Sequence, residues 1–300
     1  MRYFDYSFLE QALLPAHLVN TVCEITVLHE RIEGQKQRLT TVFNALKDEI
    51  QALPAGSSDK ASDTNYSDAL TLIHVNYENI DIREGDILWL HEILLAGAPE
   101  GGGRYKQSAT VGAEIKRLIT AYEEARDNPY VNRLLLIPYF ILDFLCLRPF
   151  ADGNDRMARL LALLMLHKSG FDAGLFISYE EQIDRTKDLY FQALKASGTG
   201  WREELNSYFP FMEQFLETVL SCYRDLTARI GVSDGGKATK RQRIEATVLN
   251  SAQPISKGEI CRTLPDVSQT TVEAVLADML KGGLIEKLGS ARSTRYRSAK

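Results

Sequence analysis

Apolar residues recur at three- and four-residue steps along most of the chain, the pattern of amphipathic helices. Val22, Ile25, Leu28 and Ile32 mark one face of a helix from about Pro15 to Gly34. A second helix runs to about Leu53, where Pro54 and Gly56 stop it, and the polar stretch 56–67 predicts an exposed loop. Helices are predicted near Asp86–Leu95 and Ile115–Arg126, and Arg104–Ala113, which mixes Tyr, Thr and Val after a glycine run, predicts a short hairpin. Val131–Leu147 and Asp155–Lys168 are strongly apolar and read as buried core helices; Glu180–Ala196 and Asn206–Ile230 complete a helical body. A Ser-Asp-Gly-Gly linker follows from Ser233. Beyond it come short helices at Arg241–Asn250, Ser256–Leu264 and Ser268–Gly282, then two strands around a small-residue turn.

A length of 300 residues suits about two domains, and 45% hydrophobic with 25% charged residues is ordinary for a folded chain. No apolar run approaches the roughly 18 residues of a membrane helix, and no secretory signal opens the sequence. Cys23, Cys146, Cys222 and Cys261 are scattered without metal-ligand spacing, which predicts reduced thiols and a cytoplasmic protein. The net charge of −5 is uneven. Lys237 to Lys300 holds 12 Lys and Arg against 6 Asp and Glu, a local +6, so the first 236 residues carry −11. A basic tail on an acidic body points to nucleic acid for the tail alone.

Between the two apolar helices lies Arg148-Pro-Phe-Ala-Asp-Gly-Asn-Asp-Arg-Met-Ala-Arg159. Free backbone N–H groups at a helix start bind anions. Arg156 and Arg159 share a face and can hold phosphate oxygens, and Asp152 suits Mg2+. Spacing alone leaves a second reading open, a polar loop whose N-cap joins two core helices.

The segment resembles the Fic signature H-P-F-x-D-G-N-G-R-x-x-R, departing where the His is Arg148 and the second Gly is Asp155. Residues Gly103–Gly112 are similar to the flap hairpin of that family, and Phe176–Ile183 with Tyr190–Leu194 to the helices after its core. The resemblance implies a mainly α fold: an N-terminal helical region (1–85), a Fic helical bundle with a short β-hairpin flap (86–232), a linker (233–240) and a winged helix-turn-helix domain (241–300). It implies transfer of AMP from ATP with Mg2+ to a hydroxyl of a protein target. Asp152 would then hold the metal, and Gly153, Asn154, Asp155, Arg156 and Arg159 would line the phosphates. Arg104, Tyr105 and Lys106 would form the flap that docks the target. Glu33, followed by Gly34, matches part of the family's inhibitory motif, whose glutamate pairs with the last arginine; otherwise it is a helix end.

The two departures bear on the chemistry. An imidazole with a pKa of about 6.5 accepts a proton near neutrality, whereas a guanidinium has no acceptor, and losing a general base costs about 10²–10⁴ in rate. Asp155 sets a carboxylate where phosphate would approach; two like charges about 4 Å apart repel by roughly 4 kcal/mol at an effective dielectric of 20. The opposite signs of Arg148 and Asp155 predict that they pair with each other, the alternative being two separately solvated side chains. The chain therefore reads as an impaired transferase, the alternative being a still active nucleotidyl- or phosphoryl-group transferase.

In the tail, Ser268 caps a helix that begins with Gln269, Thr270 and Thr271, where a recognition helix reaches base edges. Arg292, Arg295 and Arg297 fall on the wing, suited to phosphates. DNA, a second copy of the chain or the chain's own body are the partners this leaves open.

Overall fold

The computed structural model describes residues 2–52, 60–233, 240–249, 251, 254–289 and 294–299. Its helices are α1 (Ala16–Lys36), α2 (Thr40–Ala52), α3 (Lys60–Asn76), α4 (Glu84–Leu94), α5 (Val111–Asp127), α6 (Arg133–Leu147), α7 (Asn154–Lys168), α8 (Tyr179–Arg185), α9 (Lys187–Gly198) and α10 (Phe209–Ser233). The tail adds β1 (Ile255–Ser256) and β2 (Ile285–Leu288), β3 (Arg295–Ser298), with α11 (Lys240–Leu249), α12 (Lys257–Thr263) and α13 (Gln269–Lys281). The chain divides into two compact units, one of residues 1–36 and 43–223, the other of 37–42 and 224–300. No helix among the described residues is long and apolar enough to cross a membrane.

The helical unit is built on α6 and α7. Nearly every side chain of α6 and the run Leu160–His167 of α7 are buried, which is why these stretches are apolar all round rather than on one stripe. The exception inside α6 is Asp143, 1% exposed. Its Oδ1 accepts from Trp201 Nε1 (2.6 Å) and the Tyr208 hydroxyl (2.7 Å), and its Oδ2 from the Tyr6 hydroxyl (2.7 Å). Burial pushes this carboxyl up from the usual range, and the three donors oppose that push. These hydrogen bonds and the Arg2 guanidinium 3.7 Å away offset the cost of burying the carboxyl, and its partners draw the N-terminal segment and the stretch before α10 onto α6.

The tail unit closes on its own core, with Ile244 and Val248 of α11, Ile260 of α12 and Val272, Leu276 and Met279 of α13 buried together with Ile285. Its sheet has the order β1-β3-β2 with both pairings antiparallel; Ile255 faces Tyr296, and Ile285 faces Ser298. Ser256 caps α12 in a reciprocal capping box with Glu259, and Ser268 caps α13 through the Thr271 N–H.

Three expectations need correction. Residues 60–67 are helical, because Tyr66, Ala69 and Ile73 give α3 a buried face in a stretch free of Gly and Pro; 53–59 lie outside the described residues. The segment 104–110 forms no strand, and α5 starts at Val111, so there is no β-hairpin flap; the Lys106 N–H bonds to Pro149 rather than to a neighbouring strand. The tail has a third strand, β1, two residues long and too short for an alternating pattern to show.

Two imidazoles are buried in the helical unit without hydrogen-bond partners: His74 at Nδ1 and His167 at both ring nitrogens, their rings 5.6 Å apart. Burial, with Lys47 nearby, lowers His74 to about 4 and His167 well below its ordinary value. Such histidines favour the neutral form when folded, so their stabilising share is complete above the unfolded pKa and lost as pH falls. Between pH 6.5 and 4.5, His74 alone removes about 2–3 kcal/mol at 1.36 kcal/mol per unit. Urea unfolding at both pH values reads this loss, and His74→Leu should shrink it; an unchanged difference in the variant would sink the assignment.

Candidate functional site

The motif loop is closed by its own side chains. Asn154, 1% exposed at the start of α7, accepts from the Phe150 N–H through Oδ1 (3.0 Å) and donates to the Phe150 carbonyl through Nδ2 (2.9 Å). Gly153 precedes it at φ 75°, a left-handed turn, and a Cβ there would lie 3.3 Å from Leu94 Cδ2. Phe150 is buried and stacks on the His91 imidazole at 3.6 Å and 9°. The side chain of Asn154 thus builds the loop.

His91 joins the two loops of the site. Its Nδ1 accepts from the Gly103 N–H (3.1 Å), so the proton of the neutral ring sits on Nε2, which donates to the Asp152 carbonyl (3.1 Å). Burial holds its pKa below the ordinary histidine value. Both nitrogens of this imidazole beside the loop are thus committed to backbone groups. Gly102 packs against the α4 backbone at that point: a Cβ would come within 2.3 Å of the His91 carbonyl.

Arg148 ends α6 in a left-handed conformation (φ 46°) and points its guanidinium at Asp155, Nη1 to Oδ2 3.6 Å. The predicted pair forms, with side chains 55% and 47% exposed, so it is solvated and worth about 0–1 kcal/mol. Lys106 donates its backbone N–H to the Pro149 carbonyl (3.0 Å) and its ammonium to the Leu147 carbonyl (3.3 Å), next to Arg148. Burial, then the nearby Arg202 and Arg148, lowers its pKa.

Arg159 is held elsewhere than expected. Its Nη1 bonds Glu180 Oε2 at 2.8 Å, and the Tyr66 hydroxyl donates to Glu180 Oε1 at 2.6 Å. Both partners of the ion pair are under 20% exposed. Burial alone would weaken the guanidinium's charge, and the Glu180 carboxylate more than offsets that. Glu33 does not meet Arg159: its carboxylate pairs with Lys36, which also bridges to Asp172. Sequence reasoning missed His91, Gly102 and Glu180. Glu180 lies inside a segment singled out for resemblance, but nothing in its spacing marks it.

An open cavity of about 880 Å³ lies between the two loops, lined by Leu95, Pro99, Arg104, Tyr105, Lys106 and Asp152 among others. Arg148, Asp155, Arg156 and Arg159 do not line it. The exposed Asp152 carboxylate accepts from the Gly153 N–H (2.6 Å) and sits 4.0 Å from Arg156, and fits a Mg2+ ligand. A triphosphate fits less well: Asp155 puts negative charge on the first turn of α7, and Arg159 is committed to Glu180.

In the tail, Thr270 is exposed, Gln269 donates to Glu273 (3.2 Å) and Thr271 meets Ser268 (2.8 Å). Arg295 bonds Glu259 and the Pro254 carbonyl, and Arg297 bonds Glu286. Arg292 lies outside the described residues. Arg295 and Arg297, expected to meet phosphates, are thus held by carboxylates within the tail.

Residues 81–166 match the family model described as Fic/DOC family. A solved Fic family protein from Desulfovibrio desulfuricans G20 is similar with a TM-score of 0.55 at 20% identity, covering 96% of this chain and 97% of that one. The structure of Fic-1 (aa134–508) from C. elegans gives 0.53 at 16% identity, over 73% of this chain and 74% of that one. No curated protein sequence matches. Residues 81–166 thus resemble a Fic/DOC family domain, and the fold around them is similar to that of solved Fic proteins.

Two substitutions test how the loop is built. Asn154→Ala leaves the buried Phe150 N–H and carbonyl unpaired and should lower stability by about 3 kcal/mol. Gly102→Ala meets backbone and should cost about 1–3 kcal/mol. Denaturant unfolding of each variant measures both, and losses under 0.5 kcal/mol would contradict this account.

Proposed function

We propose that this chain is a Fic protein impaired as a protein adenylyltransferase, its scaffold kept and its proton acceptor lost. The observation that carries the reading is the Arg148 position. The residue occupies the family's histidine place at the end of α6, turns its guanidinium onto Asp155, and offers no lone pair to a hydroxyl. The one imidazole packed on the loop, His91, has both nitrogens engaged. Asp155 and the Arg159–Glu180 pair further oppose a triphosphate, so the wild-type chain binds ATP·Mg2+ weakly and transfers little AMP.

The test is incubation with labelled ATP and Mg2+, following label on protein. Arg148→His with Asp155→Gly should raise transfer, self-modification included, by about 10²-fold or more. Wild-type transfer within tenfold of this double variant would favour the alternative, an active nucleotidyl- or phosphoryl-group transferase.

Calorimetric titration separates binding from chemistry. Glu180→Gln releases Arg159 while keeping a partner for the Tyr66 hydroxyl, and should tighten ATP·Mg2+ at least tenfold. Glu33→Gly should not. The reverse result would return the inhibitory role to Glu33.

For the tail, we propose a winged helix-turn-helix that binds DNA, supported by three helices, a three-stranded antiparallel sheet, an exposed start to α13 and a local charge of +6. Arg295 and Arg297 must leave Glu259 and Glu286 to reach phosphates, which makes the binding weak and salt-sensitive. Fluorescence anisotropy of the full chain with random-sequence duplexes at low salt should show binding that Thr270→Glu removes. No binding at 50 mM salt would leave the tail as a protein-contact module.

A further inference from the structure

Away from the motif loop, α1 and the short 3-10 turn after α7 bring His29, Glu33 and Asp172 together. His29 and Glu33 are four residues apart and share one face of α1, with Nδ1 and Oε1 3.9 Å apart. One ligand atom from each of the three residues lies within 4.8 Å of the other two. The Tyr223 hydroxyl sits 3.3 Å from His29 Nδ1 and the Phe171 ring packs 5.2 Å from the imidazole, so the ring is held from two sides. Lys36 reaches into the cluster: its ammonium contacts Glu33 and lies 2.6 Å from Asp172.

The charge count shows what this position attracts. Two carboxylates bring −2 and the Lys36 ammonium +1, leaving one negative charge uncompensated. A divalent ion would compensate both carboxylates and take the imidazole nitrogen as a third ligand. We propose that His29, Glu33 and Asp172 bind a divalent transition metal, Zn2+, which displaces the Lys36 ammonium that closes the site. The donor set selects the ion. Mg2+ and Ca2+ favour oxygen ligands alone, whereas Zn2+ takes imidazole nitrogen with carboxylate oxygen at about 2.0–2.2 Å. Donors on one tetrahedral ion stand about 3.4 Å apart, given bonds of about 2.1 Å. The three atoms need only side-chain rotation to close from 4.8 Å, and Glu33, 39% exposed, has room for it. Water completes the fourth position. The bound ion would fasten α1 to the end of α7, and it is independent of whether the motif loop transfers AMP.

The experiment is titration of Zn2+ into the full chain against a chromophoric chelator, with Co2+ absorption as a second readout. One Zn2+ per chain with micromolar or tighter affinity is expected. His29→Gln should weaken it at least tenfold and abolish the Co2+ band, while Lys36→Gln, which removes the competing ammonium, should tighten it at least tenfold. Zn2+ affinity unmoved by His29→Gln overturns the site, since other histidines would then hold the ion. Binding absent from wild type overturns it for the natural chain, even where Lys36→Gln binds. Wild-type binding that Lys36→Gln leaves unchanged overturns the displacement. Circular dichroism melts confirm that both variants fold.

Discussion

The architecture around the motif depends on the closure of one loop by the Asn154 carboxamide. It gives the Phe150 backbone both a donor and an acceptor, so both of that residue's backbone groups are paired in a tight turn between two buried helices. Phe150 then fills the space beneath the loop, His91 stacks on it, and the two nitrogens of His91 tie the Asp152 carbonyl to the Gly103 amide. Each step constrains the next: the glycine run before Arg104 needs Gly102 because any Cβ would strike α4, and Lys106 then reaches the carbonyls at the end of α6.

Two ion pairs next to this loop differ in what they can do. Arg148 and Asp155 face solvent at 3.6 Å, so salt and water screen them. Arg159 and Glu180 sit at 2.8 Å, mostly out of solvent, with the Tyr66 hydroxyl satisfying the second carboxylate oxygen. Freeing Arg159 therefore means leaving a carboxylate desolvated and short of its cation, a cost of the kind that reaches several kcal/mol. The pair within the motif is thus solvated and weak, and the stronger of the two ion pairs joins the motif to a helix outside it.

Much of this was legible in the sequence. The two all-round apolar stretches became α6 and α7, and the opposite charges of Arg148 and Asp155 became a contact. Ser268 became the cap of α13, and the periodicity of Val22, Ile25 and Ile32 became α1. What failed did so for physical reasons. Local composition at 60–67 is polar, yet tertiary packing of Tyr66 and Ala69 made it helical. Tyr, Thr and Val after the glycines suggested strands, but with no partner strand beside it the Lys106 amide bonds to the motif loop instead. Glu33 was matched by a two-residue pattern, whereas the partner of Arg159 comes from α8, a pairing set by fold rather than spacing. His91 could not be placed because its role is defined by two loops distant from each other in sequence.

The site separates into residues that build the loop and residues that would perform its chemistry. Phe150, Gly153, Asn154 and His91 hold backbone to backbone through neutral, buried contacts, and none of those contacts uses position 148 or 155. Arg148 accepts its left-handed conformation at the end of α6 with the side chain in solvent, so a large cationic residue enters there without disturbing the core. Asp155 lies in the first turn of α7, where a carboxylate is favoured by the helix dipole. Asp155 thus supplies the negative charge at this helix N-terminus from within the chain. The contacts that hold the loop are thus separate from positions 148 and 155, and the two can be altered independently.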